Sequence, residues 1–194
     1  MMTTLTRFNL FPTLVYVVEC SDLIEPVKDL MKSVSWYEDY PYQSADLWIL
    51  NSNLELAKEF EHRVNNTLSE IKYDVPFQLT TSWYTRTLPN KSIASHKHAN
   101  CVWSTVFYFD DNCGELTFSK DLPDISLNCY AEDINVRMFG EVSVLARKGV
   151  MLLFPSSLYH SLKANNSNRE RYSLAMNFMP KGMVLNVDSS YEYK

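Results

Sequence analysis

Between residues 78 and 179 the chain consists of short β-branched or aromatic runs, each closed by a turn signal. That rhythm limits what it can fold into. The runs cover residues 78–88, 101–109, 115–118, 142–146, 150–154 and 171–179. Pro89-Asn90, Asp110-Asp111-Asn112, Pro123-Asp124, Lys148-Gly149 and Asn165-Asn166-Ser167-Asn168 punctuate them. Turn residues preset or tolerate backbone angles that end a strand. The 12 Tyr, 10 Phe and 4 Trp also suit pleated, half-buried surfaces. Many short strands at this spacing predict a β-sandwich or barrel.

The N-terminal third has a different texture. Residues 11–18, Phe-Pro-Thr-Leu-Val-Tyr-Val-Val, read as a strand. Ser21-Asp22 offers a cap for a helix with Leu23, Val27, Leu30, Met31 and Val34 at helical spacing. The Tyr-rich stretch 36–42 looks irregular. Ser52-Asn53 is expected to cap a second helix, in which Leu56, Ala57, Phe60, Val64, Leu68 and Ile71 form one apolar stripe. Such a helix packs on a sheet and does no chemistry. With no repeat and no linker, the expectation is one domain over residues 1–194, with a helical N-terminal third and a β core at about 78–179.

Charge and cysteine usage exclude some functions. The net charge of −5 argues against non-specific nucleic-acid binding, which needs a basic face. Cys20, Cys101, Cys113 and Cys129 form no CxxC pair, so reduced thiols and a cytoplasmic location are expected. The longest apolar run, 150–154, is too short to cross a membrane.

Of four histidines, His62 lies on the second helix beside Glu61 and Arg63 and reads as a solvent-face residue. His96 and His98 are separated by one residue, so on a strand both imidazoles point to one side and can meet one ion. An HxH pair alone is a weak signal. His160 strengthens it: the apolar run 150–154 ends at Pro155, and a short turn returns the chain to a second strand beginning near His160. Eleven residues later Arg171 opens a strongly apolar strand. A guanidinium directed into a barrel needs an anionic partner, and its planar fork suits a carboxylate. Ser173 faces the same side and can add a hydroxyl; the plainer alternative is a surface Arg–Asp pair.

The order of these stretches resembles the 2-oxoglutarate and Fe(II)-dependent dioxygenases of the prolyl 4-hydroxylase-like type, and the short bacterial and phage members in particular. The stretches are Ser95-His96-Lys97-His98-Ala99-Asn100, Val106-Phe107-Tyr108-Phe109-Asp110, Cys113-Gly114-Glu115-Leu116-Thr117-Phe118, Leu153-Phe154-Pro155-Ser156-Ser157-Leu158-Tyr159-His160 and Arg171-Tyr172-Ser173. The resemblance implies a mainly β fold, the double-stranded β-helix or jelly roll, buttressed by the N-terminal helices. It implies Fe(II) at His96 and His160, 2-oxoglutarate at Arg171, Ser173 and Tyr108, and oxidation of a substrate with release of succinate and CO2.

The chain departs from the family at His98, where a carboxylate usually stands; the usual non-heme Fe(II) site has two histidines and one carboxylate. His98 is expected to be the third ligand, with Asp110, Asp111 or Glu115 as alternative donors, or a weakened site as the remaining outcome. A cupin-type metal protein and a non-catalytic jelly roll, either a phage structural or a carbohydrate-binding module, are rival readings. The insert 121–139 is expected near the mouth of the site. The apolar ending 179–187 is expected to pair with a second copy, giving a homodimer, or to close the sheet.

Overall fold

The computed structural model describes residues 12–38, 42–120, 132, 140–186 and 188–193. The expected insert, Glu132 excepted, lies outside these residues, as do Phe11, Tyr40 and Cys129. Strand β1 spans Tyr16–Glu19, followed by helices α1 at Ile24–Met31 and α2 at Leu54–Leu68. Then come β2 (Phe77–Thr87), β3 (Ile93–His96), β4 (Trp103–Tyr108), β5 (Glu115–Lys120), β6 (Gly140–Leu145), β7 (Val150–Pro155), β8 (Tyr159–Leu162) and β9 (Arg171–Pro180). A hairpin of β10 (Gly182–Asn186) and β11 (Ser189–Tyr193) follows. Residues 182–186 of the apolar ending thus pair with β11 in a sheet of their own, apart from the larger sheets.

Five strands form a major sheet in the order β1-β7-β4-β9-β2, and four form a second sheet in the order β3-β8-β5-β6. All pairings within them are antiparallel. From β2 onward the chain passes back and forth between the sheets, which is the winding of a double-stranded β-helix. The expected fold class is observed.

The major sheet is covered on both faces, and this explains its sequence. Phe107, Met151, Leu153, Leu174, Met176 and Phe178 pack outward against Leu56, Phe60, Val64 and Leu68 of α2. Val106, Tyr108, Val150, Leu152 and Phe154 point inward, toward Leu116, Phe118 and Leu162 of the second sheet. Strands buried on both sides read as unbroken apolar runs rather than as an alternation. The α2 stripe lies on this outer face, where each large side chain removed from water contributes roughly 1.5–3 kcal/mol.

Helix starts differ in detail from expectation. The Asn53 side chain does cap α2, accepting from the Leu56 amide at 3.1 Å. Ser21-Asp22 does not cap α1; it forms a separate 3-10 turn, and the Asp22 carboxylate pairs with Arg63 at 2.6 Å. Among the described residues no helix is long and apolar enough to cross a membrane.

Candidate metal centre

The strand β3 that carries His96 is only four residues long, and most of it is exposed, so no apolar pattern announces it. It pairs with β8 through Ile93↔Leu162 and His96↔His160. His98 lies two residues beyond the strand end, tied back by its amide to the Ser156 carbonyl at 2.9 Å. The expectation that both histidines face one side is met, although His98 sits in the loop. The ring centroids are 4.3 Å apart for His96–His160, 5.1 Å for His98–His160 and 5.3 Å for His96–His98. One ligating atom from each lies within 4.8 Å of the others.

The second ring nitrogens are all occupied. His96 Nδ1 lies 2.9 Å from the Ala94 carbonyl and His160 Nδ1 lies 3.0 Å from the Leu158 carbonyl. A carbonyl only accepts, so in the neutral ring Nδ1 carries the proton and Nε2 presents a lone pair. His98 Nδ1 lies 2.7 Å from Asn177 Oδ1 and 3.1 Å from Ser104 Oγ. Burial holds His160 neutral, pushing its pKa down to about 4, with His96 and His98 adding to the effect against the Leu158 hydrogen bond. Burial also lowers His98, opposed by the Asn177 bond. Neutral imidazoles are the protonation state in which a metal ion is bound.

The three carboxylates considered as alternative donors are engaged elsewhere. Glu115 pairs with Lys163 at 2.8 Å and Asp111 with Lys148 at 3.1 Å, while Asp110 accepts from the Asp111 amide. Among the described residues the three histidines are the only cluster of three or more His, Cys, Asp or Glu side chains placed so that they could hold a metal ion. His62 lies apart on α2, exposed, within 2.8 Å of Asn66 Nδ2.

Arg171 opens β9 and is 6% exposed, which rules out the surface-pair alternative. The turn before it is organised by the buried Asn165, whose amide donates to the Thr87 and Arg169 carbonyls. The guanidinium donates to the Lys163 carbonyl at 3.2 Å, but its Nε has no acceptor among the described residues. No carboxylate pairs with it among the described residues. It lies against Gly114, where a Cβ would stand 2.5 Å from Cζ. The fully buried Tyr108 hydroxyl also has no partner among the described residues; burial and the nearby Cys113 thiol push its pKa up, and the Arg171 charge acts against them. A buried guanidinium with one unpaired N–H and a buried hydroxyl without a partner are costly unless a guest or water completes them, and the cation favours an anionic guest.

A cleft of about 560 Å3 opens over the three histidines. The inner face of β9 reads Arg171, Ser173, Ala175, Asn177, with two small residues between guanidinium and amide. Ser173, Ala175 and Asn177 line the cleft, as do Thr81, Trp83 and Thr85 opposite them on β2. Arg171 and Tyr108 are buried and are not among the residues that line the cleft. Sequence reasoning missed Asn177, Ser104 and Trp83, whose ring lies 5.5 Å from His98. The period-two reading of 171–177 contained the signal for Asn177.

The chain matches the family described as "Putative 2OG-Fe(II) oxygenase" over residues 81–177. No curated protein sequence matches it. Among solved structures, it is similar to an oxidoreductase of the 2OG-Fe(II) oxygenase family from Burkholderia pseudomallei, with 11% identity, 84% of this chain and 83% of that chain covered, and a TM-score of 0.63. It is similar to HygX from Streptomyces hygroscopicus, crystallised with nickel, 2-oxoglutarate and hygromycin B, with 13% identity, 91% and 88% covered, and a TM-score of 0.59. It is also similar to a Pseudomonas putida prolyl-4-hydroxylase, with 14% identity, 90% and 96% covered, and a TM-score of 0.53. At these identities the structures show the shared fold, and the family match carries the assignment. The chain belongs to the 2OG-Fe(II) oxygenases, enzymes that use non-heme Fe(II) and 2-oxoglutarate.

Proposed function

We propose that His96, His98 and His160 hold Fe(II) through their Nε2 atoms, and that Arg171, with Ser173 and Tyr108, receives the distal carboxylate of 2-oxoglutarate. The observation that carries this reading is the set of three Nδ1 atoms facing oxygen acceptors, which leaves three Nε2 lone pairs for one ion. When bound, Fe(II) and 2-oxoglutarate couple O2 consumption to release of succinate and CO2 and to oxygenation of a substrate, here by hydroxylation of a C–H bond.

The protein's own residues do the holding. Three neutral imidazoles leave the ion its full +2 charge, which favours an anionic chelate beside it. The unmatched charge of Arg171 is completed by a carboxylate that its planar fork fits. The cleft supports a small-molecule substrate, and one wall is formed by Trp83, Thr81 and Thr85. HygX, with the same fold, was crystallised with hygromycin B. The unit is read as one domain, because β4 and β7 supply side chains to both apolar clusters.

Anaerobic titration with Fe(II) and then 2-oxoglutarate tests the reading. A weak visible charge-transfer band is expected with the native chain and is expected to vanish in His160→Ala. A native protein that gives no band overturns it.

A further inference from the structure

Two of the three histidines have their tautomers set by backbone carbonyls, which only accept. His98 differs. Its Nδ1 faces a side-chain amide, Asn177 Oδ1 at 2.7 Å, and an amide can present either end. With Oδ1 toward the ring, Nδ1 carries the proton and Nε2 is free for a metal. With Nδ2 toward the ring, Nδ1 must accept, and the proton moves to Nε2, where it blocks coordination.

The hydroxyls around this amide complete its hydrogen bonds in the first arrangement. The Ser104 hydroxyl donates to Asn177 Oδ1 at 2.8 Å, and Ser104 Oγ lies 2.8 Å from Ser156 Oγ. At the other end, Asn177 Nδ2 donates to Thr81 Oγ1 at 2.9 Å. Ser104 and Ser156 are fully buried. The residues come from β2, β4, β9 and the β7–β8 turn, so the orientation is supported by three adjacent strands of the major sheet and one turn.

We propose that Asn177 is the positioning residue that makes His98 a metal ligand, holding it in the Nδ1–H tautomer while adding no charge to the centre. This rests on His98 being a ligand. A hydrogen-bond partner on the outer nitrogen sets ring orientation and ligand basicity, and losing such a partner typically costs 10–100-fold in metal affinity. An amide at 177 leaves the centre at +2; a carboxylate there would return one negative charge through the imidazole.

The test is Co(II) affinity, measured by calorimetry on the full metal-free chain, for the native protein, Asn177→Leu, Asn177→Asp and His98→Ala. The expected result is that Asn177→Leu binds roughly 10–100-fold more weakly. Asn177→Asp is expected to bind at least as tightly as the native chain and to lower the Fe(III)/Fe(II) midpoint. A purely structural role would lower thermal stability in both variants without separating Leu from Asp. Native-like Co(II) affinity in Asn177→Leu, alongside weakened binding in His98→Ala, overturns the proposal and leaves the ligand set standing. Native-like affinity in His98→Ala overturns the ligand assignment itself, and the role of Asn177 with it. Should Asn177→Leu not fold, Asn177→Asp decides, and weaker binding than native overturns the proposal.

Discussion

His96 and His160 are cross-strand partners on β3 and β8, and their ring centroids stand 4.3 Å apart. Residues 64 positions apart in sequence are thus brought to opposite sides of one small space. Alanine at either position is expected to weaken Co(II) binding by more than the roughly 100-fold typical of outer partners. Alanine at His62, on the far helix, is expected to leave the calorimetric titration unchanged.

Arg171 is buried with an orphaned Nε and no carboxylate beside it among the described residues. Arg171→Gln removes the charge and keeps much of the volume. The expected loss is about 2–5 kcal/mol of 2-oxoglutarate affinity, the range for truncating one partner of a buried charge pair. Metal affinity is expected to stay within a few-fold of native. Equal losses of metal and 2-oxoglutarate would argue for a folding defect instead.

Gly114 has φ of +80°, and an added methyl would stand 2.5 Å from the Arg171 guanidinium carbon. Gly114→Ala therefore strains the backbone and displaces the cation. It is expected to cost about 1–3 kcal/mol of stability and to raise the 2-oxoglutarate concentration needed for half-saturation. Gly140, also at positive φ but with open space around its Cβ position, serves as the control: Gly140→Ala is expected to lose stability without the 2-oxoglutarate effect. Denaturant unfolding and succinate release measure the two parts separately.

Burial holds His160 near 4 and lowers His98 as well, whereas in the unfolded chain both titrate near 6.5. Between those values the unfolded state binds more protons than the folded one, so stability rises with pH and falls as the solution is acidified. The metal-free protein is expected to lose thermal stability from about pH 6.5 down to 4, with a shallower slope in His160→Gln. Identical slopes for the two proteins would contradict a neutral, buried His160.

The parts of the site that were legible in sequence are those written locally. His160 follows a buried strand and a Pro155 turn, and Arg171 follows an asparagine-rich turn, so both positions could be read as strand mouths. The double-sided burial of β4 and β7 was visible as unbroken apolar runs, and the α2 stripe as helical spacing. β3 was not visible, because four mostly exposed residues at a sheet edge show no apolar alternation. The α1 start was misread, because Asp22 bonds to Arg63, 41 residues away, rather than to its own helix.

By itself, the sequence supplied the candidates for one site: three imidazoles, one of them where a carboxylate is usual, and a guanidinium eleven residues past the last of them. Only the tertiary structure decided how those groups behave. His98 gains its acceptor from Asn177, 79 residues away, and Arg171 is carried inside the barrel with no carboxylate paired to it among the described residues. The physical reason is the same in each case. A side chain's chemistry follows from its own atoms, but its tautomer, charge state and need for a partner follow from what strand pairing places against it.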